Sequence, residues 1–172
     1  MRLVIVCVET NKRANTDASY INKAIKHFYD VDKNNDVKIL FKFYDTKTNY
    51  TDKKLLKEIK EDCKVVGEEN SVVLFCVDTD EYEVSADDIK LNLEIERFCQ
   101  QNNFRFTWFC RDVEEVFLHK RVHHNEKVQE SKRFARSNGI GQTCENDLKA
   151  TTCSKRKSNL LDNLDDVLRR KK

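Results

Sequence analysis

Proline is absent from this 172-residue chain, and glycine occurs only three times. A glycine-rich phosphate cradle needs backbone positions that other residues rarely adopt, and neither G-x-G-x-x-G nor a Walker sequence can be found. That argues against a Rossmann dinucleotide site and against a P-loop NTPase. No C-x-x-C pair exists either. Long apolar runs are missing: the first, Leu3 to Val8, is too short for a secretory h-region and far too short to cross a bilayer. The expectation is a cytoplasmic protein with no membrane partner. A large charge excess is also lacking, because 32 basic and 30 acidic residues leave +2. Nucleic-acid binding would therefore have to come from local patches. The seven cysteines are an odd number. Cys7, Cys76 and Cys110 lie in apolar runs, where cysteine acts as a small hydrophobe, so reduced structural thiols are expected. Cys144 and Cys153 with His123 and His124 fit no common zinc spacing.

The chain does contain alternating strand and helix patterns. "RLVIVCV" (2–8) reads as a buried strand. "TDASYINKAIKHFY" (16–29) reads as a helix capped by Thr16 or Asp17. "DVKILFKFY" (36–44) alternates like an edge strand, and "TDKKLLKEIKEDCKVV" (51–66) is an amphipathic helix capped at Thr51 or Asp52. "SVVLFCV" (71–77) is the most apolar strand. "SADDIKLNLEIERFCQQN" (85–102) is a helix with an apolar stripe of Ile89, Leu93, Ile95, Phe98 and Cys99. "FRFTWFC" (104–110) is a fourth strand in which Trp108 packs in the core. Further helices are predicted over 112–122, over 125–138 with a stop near Gly139, and over 158–172 with a cap at Ser158 or Asn159. Residues 139–157 are loop-like. The β-α-β-α-β-α-β order predicts a three-layer α/β fold, a mainly parallel four-stranded sheet with helices on both faces. Residues 1–138 form that domain. Residues 139–172, a loop and a final amphipathic helix, pack onto it.

Acidic residues mark two strand ends. The first strand ends "VCVET", with Glu9 just past Val8. The third ends "VVLFCVDTD", with Asp78 and Asp80 just past Val77. In a parallel sheet both ends lie on the same edge, where open α/β folds bind ligands. If these strands are neighbours, Glu9, Asp78 and Asp80 converge within roughly 5–10 Å, given a strand spacing of about 4.8 Å. Their mutual repulsion would be relieved by a hard divalent cation, Mg²⁺ or Mn²⁺, taking oxygen ligands. Such an ion supports phosphoryl transfer. A competing structural reading has the same carboxylates capping helices or binding water.

This arrangement resembles a Toprim domain, a small α/β fold with a glutamate after its first strand and a DxD after its third. More specifically it is similar to the RloB-like proteins, small Toprim-related proteins associated with bacterial restriction and abortive-infection loci. Their first helix opens on a T-E-x-x-Y-like segment, matched here by Thr16-Asp17 and Tyr20. Their D-x-D-x-φ turn is matched by "DTDEY", and their F-E ahead of a W/F-L-L-H-like stretch by Glu114, Glu115, Phe117, Leu118 and His119 in "RDVEEVFLHKRV". The resemblance runs over residues 2 to 136. It implies that Glu9 is a general acid or base or a metal ligand, that Asp78 and Asp80 coordinate Mg²⁺, and that Glu114 or Glu115 completes a second metal position or orients the site. The implied activity is that of a metal-dependent nuclease in anti-phage defence or a mobile element, with a partner ATPase or a second copy of the chain as further partners.

The stretch "HKRVHHNEKVQESKRFARSN" (119–138) is locally basic. Lys120, Arg121, Lys127, Lys132, Arg133 and Arg136 are candidates to bind a DNA or RNA backbone without reading its sequence. A solvated helix face is the plainer account of the same charges. His119, His123 and His124 could assist proton transfer. Two further function classes compete with a nuclease. One is a non-catalytic Toprim-like module that binds nucleotide, nucleic acid or a partner protein. The flanks Val8 and Thr10 favour it, since family members carry glycine beside the first glutamate. The other is a receiver- or flavodoxin-like domain. It fits less well, because a receiver places its acidic pair after the first strand and a single aspartate after the third.

Overall fold

The computed structural model describes residues 1–31 and 36–171. Among the described residues the strands and α-helices alternate up to β4 and two further helices follow: β1 (Arg2–Val8), α1 (Thr16–Phe28), β2 (Val37–Phe43), α2 (Lys53–Val66), β3 (Ser71–Asp78), α3 (Ala86–Gln101), β4 (Arg105–Phe109), α4 (Val113–Leu118) and α5 (Lys127–Arg136). The strands form one sheet in the order β2-β1-β3-β4, and every pairing is parallel. Six consecutive residues of β1, Leu3 to Val8, are buried, which is why this strand reads as a continuous apolar run rather than an alternation. β2 is an edge strand and stays half-buried, as its lysines require.

Side-chain parity sorts the core into two layers. Val4, Val6, Val8, Leu74 and Cys76 point to the face covered by α1, α4, α5 and the C-terminal segment. Leu3, Ile5, Cys7, Val73, Phe75 and Val77 point to the face covered by α2 and α3. The molecule is thus a three-layer α/β fold with helices on both sides of its sheet. Sheet order reverses direction between β1 and β3, so the crevice beyond their carboxyl ends is the switch point at which such folds bind ligands. Among the described residues no helix is long and apolar enough to cross a membrane.

Local signals explain the helix starts. Asp52 caps α2 by accepting from the Leu55 N–H at 2.7 Å, and Ser85 caps α3 through the Asp88 N–H at 3.2 Å. α1 differs from expectation: its N-cap is Asn15, held at φ 49° with no side-chain capping bond, while Thr16 and Asp17 are already inside the first turn and buried. α3 differs too. Ile95 and Cys99 are fully buried, but Ile89 and Leu93 are 42% and 46% exposed. The two pairs belong to different stripes, since positions 93 and 95 lie about 200° apart around a helix of 3.6 residues per turn.

The largest departure is at the C-terminus. Residues 160–167 form a series of turns rather than the α-helix predicted over 158–172, and Lys172 lies outside the described residues. Its apolar pattern is nevertheless used: Leu160, Leu161, Leu164, Val167 and Leu168 are all buried. The helix is lost because its polar residues serve β4 instead. Asn159 accepts from the Trp108 N–H at 2.8 Å and donates to the Phe106 carbonyl at 3.0 Å, and Asn163 donates to the same carbonyl at 3.0 Å. Side-chain amides thus cover an otherwise bare sheet edge. The expectation of reduced thiols holds for Cys7 and Cys76 and is corrected for Cys110. Cys110, just past β4, is bonded to Cys153, 43 residues away, with Cα atoms 5.8 Å apart. Cys7, Cys63, Cys76 and Cys99 are buried thiols, as an apolar role requires, and Cys144 is exposed. With Cys153 engaged, the set of Cys144, Cys153, His123 and His124 has no role as a zinc site.

Candidate active site at the sheet switch point

β1 and β3 run side by side with Cys7 opposite Phe75, so Glu9 emerges next to the end of β3. Its Oε1 accepts from the Asp78 N–H at 2.9 Å. That bond ties the two acidic strand ends together. Asp78 in turn uses Oδ1 to accept from the Val113 N–H at the start of α4, at 3.0 Å. Each carboxylate therefore fixes itself with one oxygen, leaving the other for a ligand.

Parity decides the rest. Asp78 continues the series Leu74, Cys76 and leans to the α1, α4 and α5 side. There it meets Asp17, Glu114 and Lys127. Glu114 is completely buried; its Oε2 accepts from Lys127 Nζ at 2.8 Å, and its Oε1 has no partner. Asp17 is 6% exposed and accepts from the Thr16 hydroxyl at 3.1 Å. Asp112 caps α4 through the Glu115 N–H at 2.7 Å and keeps its second oxygen 3.7 Å from Lys127.

Asp80 goes the other way. β3 ends at Asp78, and Asp80 sits in the left-handed region at φ 52°, so strand alternation no longer applies to it. Its carboxylate pairs with Lys47 Nζ at 2.9 Å, and the same ammonium donates to the Asp78 carbonyl. Lys47 is buried. Between the two aspartates, buried Thr79 accepts from the Arg111 N–H at 2.8 Å and lies 3.8 Å from the Cys153 sulfur. The rim thus consists of two carboxylate groups, each with one lysine, joined by the bond from Asp78 to Glu9. A cleft of about 440 Å³ opens over them; Glu9, Asp17, Asp45, Asp78, His124 and Lys127 line it.

Burial of so many like charges shows in their proton affinities. Burial pushes Glu9 up to about 8, with Lys47 and the Asp78 N–H opposing and Asp80 and Asp17 adding. Burial likewise pushes Asp17 up to about 7, reinforced by Glu114 and opposed by Lys127. Asp78 is raised well above the carboxylate range by burial, then by Asp17, Glu9 and Glu114. Burial works against the charge of Lys127, but Glu114 outweighs it and holds the ammonium above its usual value.

The sequence-predicted residues are therefore brought together in part. Glu9 and Asp78 meet directly. Asp80 stands across the rim with Lys47. Glu114 joins the cluster, whereas its neighbour Glu115 turns away, buried, with Oε2 3.8 Å from Arg121. Of the basic candidates only Lys127 enters the cleft. Lys120 is 3.2 Å from Glu130, Arg121 pairs with Glu81 at 3.4 Å, and Arg133 with Glu130 at 2.6 Å. Lys132, Arg133 and Arg136 line a shallow groove along α5. His123 is exposed, and His119 lies 3.8 Å from Asp147. Lys47 carried no sequence signal as a site residue, and Asp17 read only as a helix cap and as part of a resemblance.

The donor set is chemically suited to a hard cation. It offers carboxylate oxygens, among them the orphaned Glu114 Oε1 and the second oxygens of Glu9 and Asp78. Among the described residues, no three His, Cys, Asp or Glu side chains already stand in a metal-holding arrangement. No protein-family model, curated protein or solved structure matches this chain.

Proposed function

We propose that this chain is a Mg²⁺- or Mn²⁺-dependent phosphodiester hydrolase, a nuclease of Toprim type akin to the RloB-like proteins. In this reading it acts in the cytoplasm on DNA or RNA in a defence setting. One observation supports this most: Glu9, Asp17 and Asp78 line a cleft at the switch point that the Lys127 ammonium enters, and the buried carboxylate of Glu114 holds that ammonium from behind. Buried charge of one sign is retained only where protons or cations offset it.

In this reading Glu9 and Asp78 hold the ion through their free oxygens. Their other oxygens are fixed on backbone N–H groups, which sets the orientation before loading. The ion would supply Lewis-acid polarisation of the phosphoryl group and a water of lowered pKa. Asp17, its proton affinity raised to about 7, stands at the cleft wall where it would take a proton from a water. Lys127 faces the same cleft and offers its ammonium to a phosphate oxygen.

The test is degradation of single-stranded DNA, duplex DNA and RNA with and without Mn²⁺, beside the thermal shift caused by the ion. Cleavage only with metal, and loss of both signals in Asp78→Asn, support the reading. Absence of both in the wild type overturns it. A second reading, a non-catalytic binding module, is favoured by the pairing of Asp80 with Lys47, which withholds one of the expected ligands. A metal-dependent thermal shift without cleavage of any substrate would select it.

A further inference from the structure

The acidic cleft contains an ammonium at a place where helix electrostatics disfavour one. Lys127 is the first residue of α5. A helix N-terminus carries partial positive charge and favours anions. The lysine is held there by carboxylates from other elements: Glu114 Oε2 at 2.8 Å and Asp112 Oδ2 at 3.7 Å, with Asp17 and Asp78 beside it on the cleft wall. Its backbone cannot drift away easily. α5 packs on α1 through Phe134, whose ring centroid is 4.8 Å from that of Tyr20. On the buried side, Glu114 Oε1 is completely buried with no hydrogen-bond partner, an acceptor aimed into the cluster that the one ammonium does not satisfy. Among the described residues no ammonium is hydrogen-bonded to the side-chain oxygens of Glu9 or Asp78, which accept from backbone N–H groups instead.

We propose that the cleft is built for one divalent ion and one fixed ammonium, with Lys127 occupying the second cation position formed by Asp17, Asp78 and Glu114. This rests on the metal-dependent reading above, but it makes a separate claim about stoichiometry. Without Lys127 the cleft would be open to a second divalent ion at that position. With Lys127 in place it holds one, on the side of Glu9 and Asp78.

Counting bound Mn²⁺ by equilibrium dialysis and electron paramagnetic resonance tests it. The wild type should bind one ion per chain. Lys127→Met should bind a second ion, or the same ion at least tenfold more tightly, and Lys127→Met with Glu114→Gln should return to one. Two ions in the wild type overturn the inference and leave the hydrolase reading standing. So does a Lys127→Met variant that matches the wild type in number and affinity. No Mn²⁺ in either protein overturns the hydrolase reading and this inference with it. Because Lys127→Met leaves Glu114 buried and unpaired, Lys127→Arg, which keeps the positive charge, is measured beside it. One ion in that variant supports the proposal, and two overturn it.

Discussion

Asp17 offers the sharpest test of how the carboxylate cluster is held. It is 6% exposed and faces Glu114, Lys127 and Asp112, with Glu9 and Asp78 nearby. Its proton affinity rises from 3.8 to about 7 on folding. Below the lower value both folded and unfolded chains carry the proton, and pH has no effect through this group. Between the two values the folded chain keeps a proton that the unfolded chain has released. Stability then falls as pH rises, by about 1.4 kcal/mol per pH unit. Above about 7 both states are charged and the penalty is constant. From pH 5 to pH 8 the loss through Asp17 is therefore about 3 kcal/mol. Asp17→Asn removes the titration and keeps an oxygen for the Thr16 hydroxyl. Urea unfolding followed by the fluorescence of Trp108, the chain's single tryptophan, measures it. In metal-free buffer the variant should gain on the wild type by about 3 kcal/mol more at pH 8 than at pH 5. A difference that stays flat across this range, or a wild type that gains on the variant as pH rises, would refute the assignment of Asp17 to a buried acidic cluster. Mg²⁺ supplied at 100 times its dissociation constant should restore about 2.7 kcal/mol to the wild type by mass action.

Three further outcomes follow from the packing. Reducing the Cys110–Cys153 bond, which closes a loop with a sequence separation of 43, should lower stability by about 4 kcal/mol on the chain-entropy account, read from urea midpoints; Cys153→Ser should show no further loss in reductant. Asp165 is held low, to about 2, against the cost of burial, by hydrogen bonds from Arg170, Lys149 and Tyr29. Its contribution is present above pH 4 and lost as pH falls toward 2; solvent screens this partly exposed carboxylate, so Asp165→Asn should cost about 1 kcal/mol at pH 7 and almost nothing at pH 2 in acid-unfolding curves. Asn159→Ala strips partners from the Trp108 N–H and the Phe106 carbonyl, and should cost about 1–3 kcal/mol with faster amide exchange at Trp108.

The order of strands and helices was legible because strands buried on both faces read as unbroken apolar runs. The meeting of Glu9 with Asp78 was legible for the same reason: parallel strands bring their carboxyl ends to one rim. The direction of Asp80 was not. Its side depends on a single left-handed residue after the strand has ended, and aspartate in that conformation leaves no pattern in the sequence. Glu114 and Glu115 are adjacent in sequence but about 100° apart on α4, so only one could enter the cleft. The C-terminal segment carried a true amphipathic pattern and still did not become a helix, since Asn159 and Asn163 found better acceptors on β4 than a helix turn provides. Lys127 was legible only as one of several basic candidates and Lys47 not at all; contacts with Glu114 and Asp80 are what bring them to the rim.

Strand parity explains why the rim has two halves. Glu9 follows Leu3, Ile5 and Cys7 on one face of the sheet, whereas Asp78 follows Leu74 and Cys76 on the other. Carboxylates leaving neighbouring strands with opposite parity cannot both point straight into one layer. They meet only at the crest, where the bond from the Asp78 N–H to Glu9 holds them. Each half then acquires its own ammonium, Lys47 on one side and Lys127 on the other. For folding alone this is a poor solution. An asparagine at position 17 would fill the same volume without the charge, and a neutral residue at 114 would leave no orphaned oxygen. A cluster that weakens the fold as pH rises, at the switch point of a doubly wound sheet, is the ground on which we propose a positively charged ligand there.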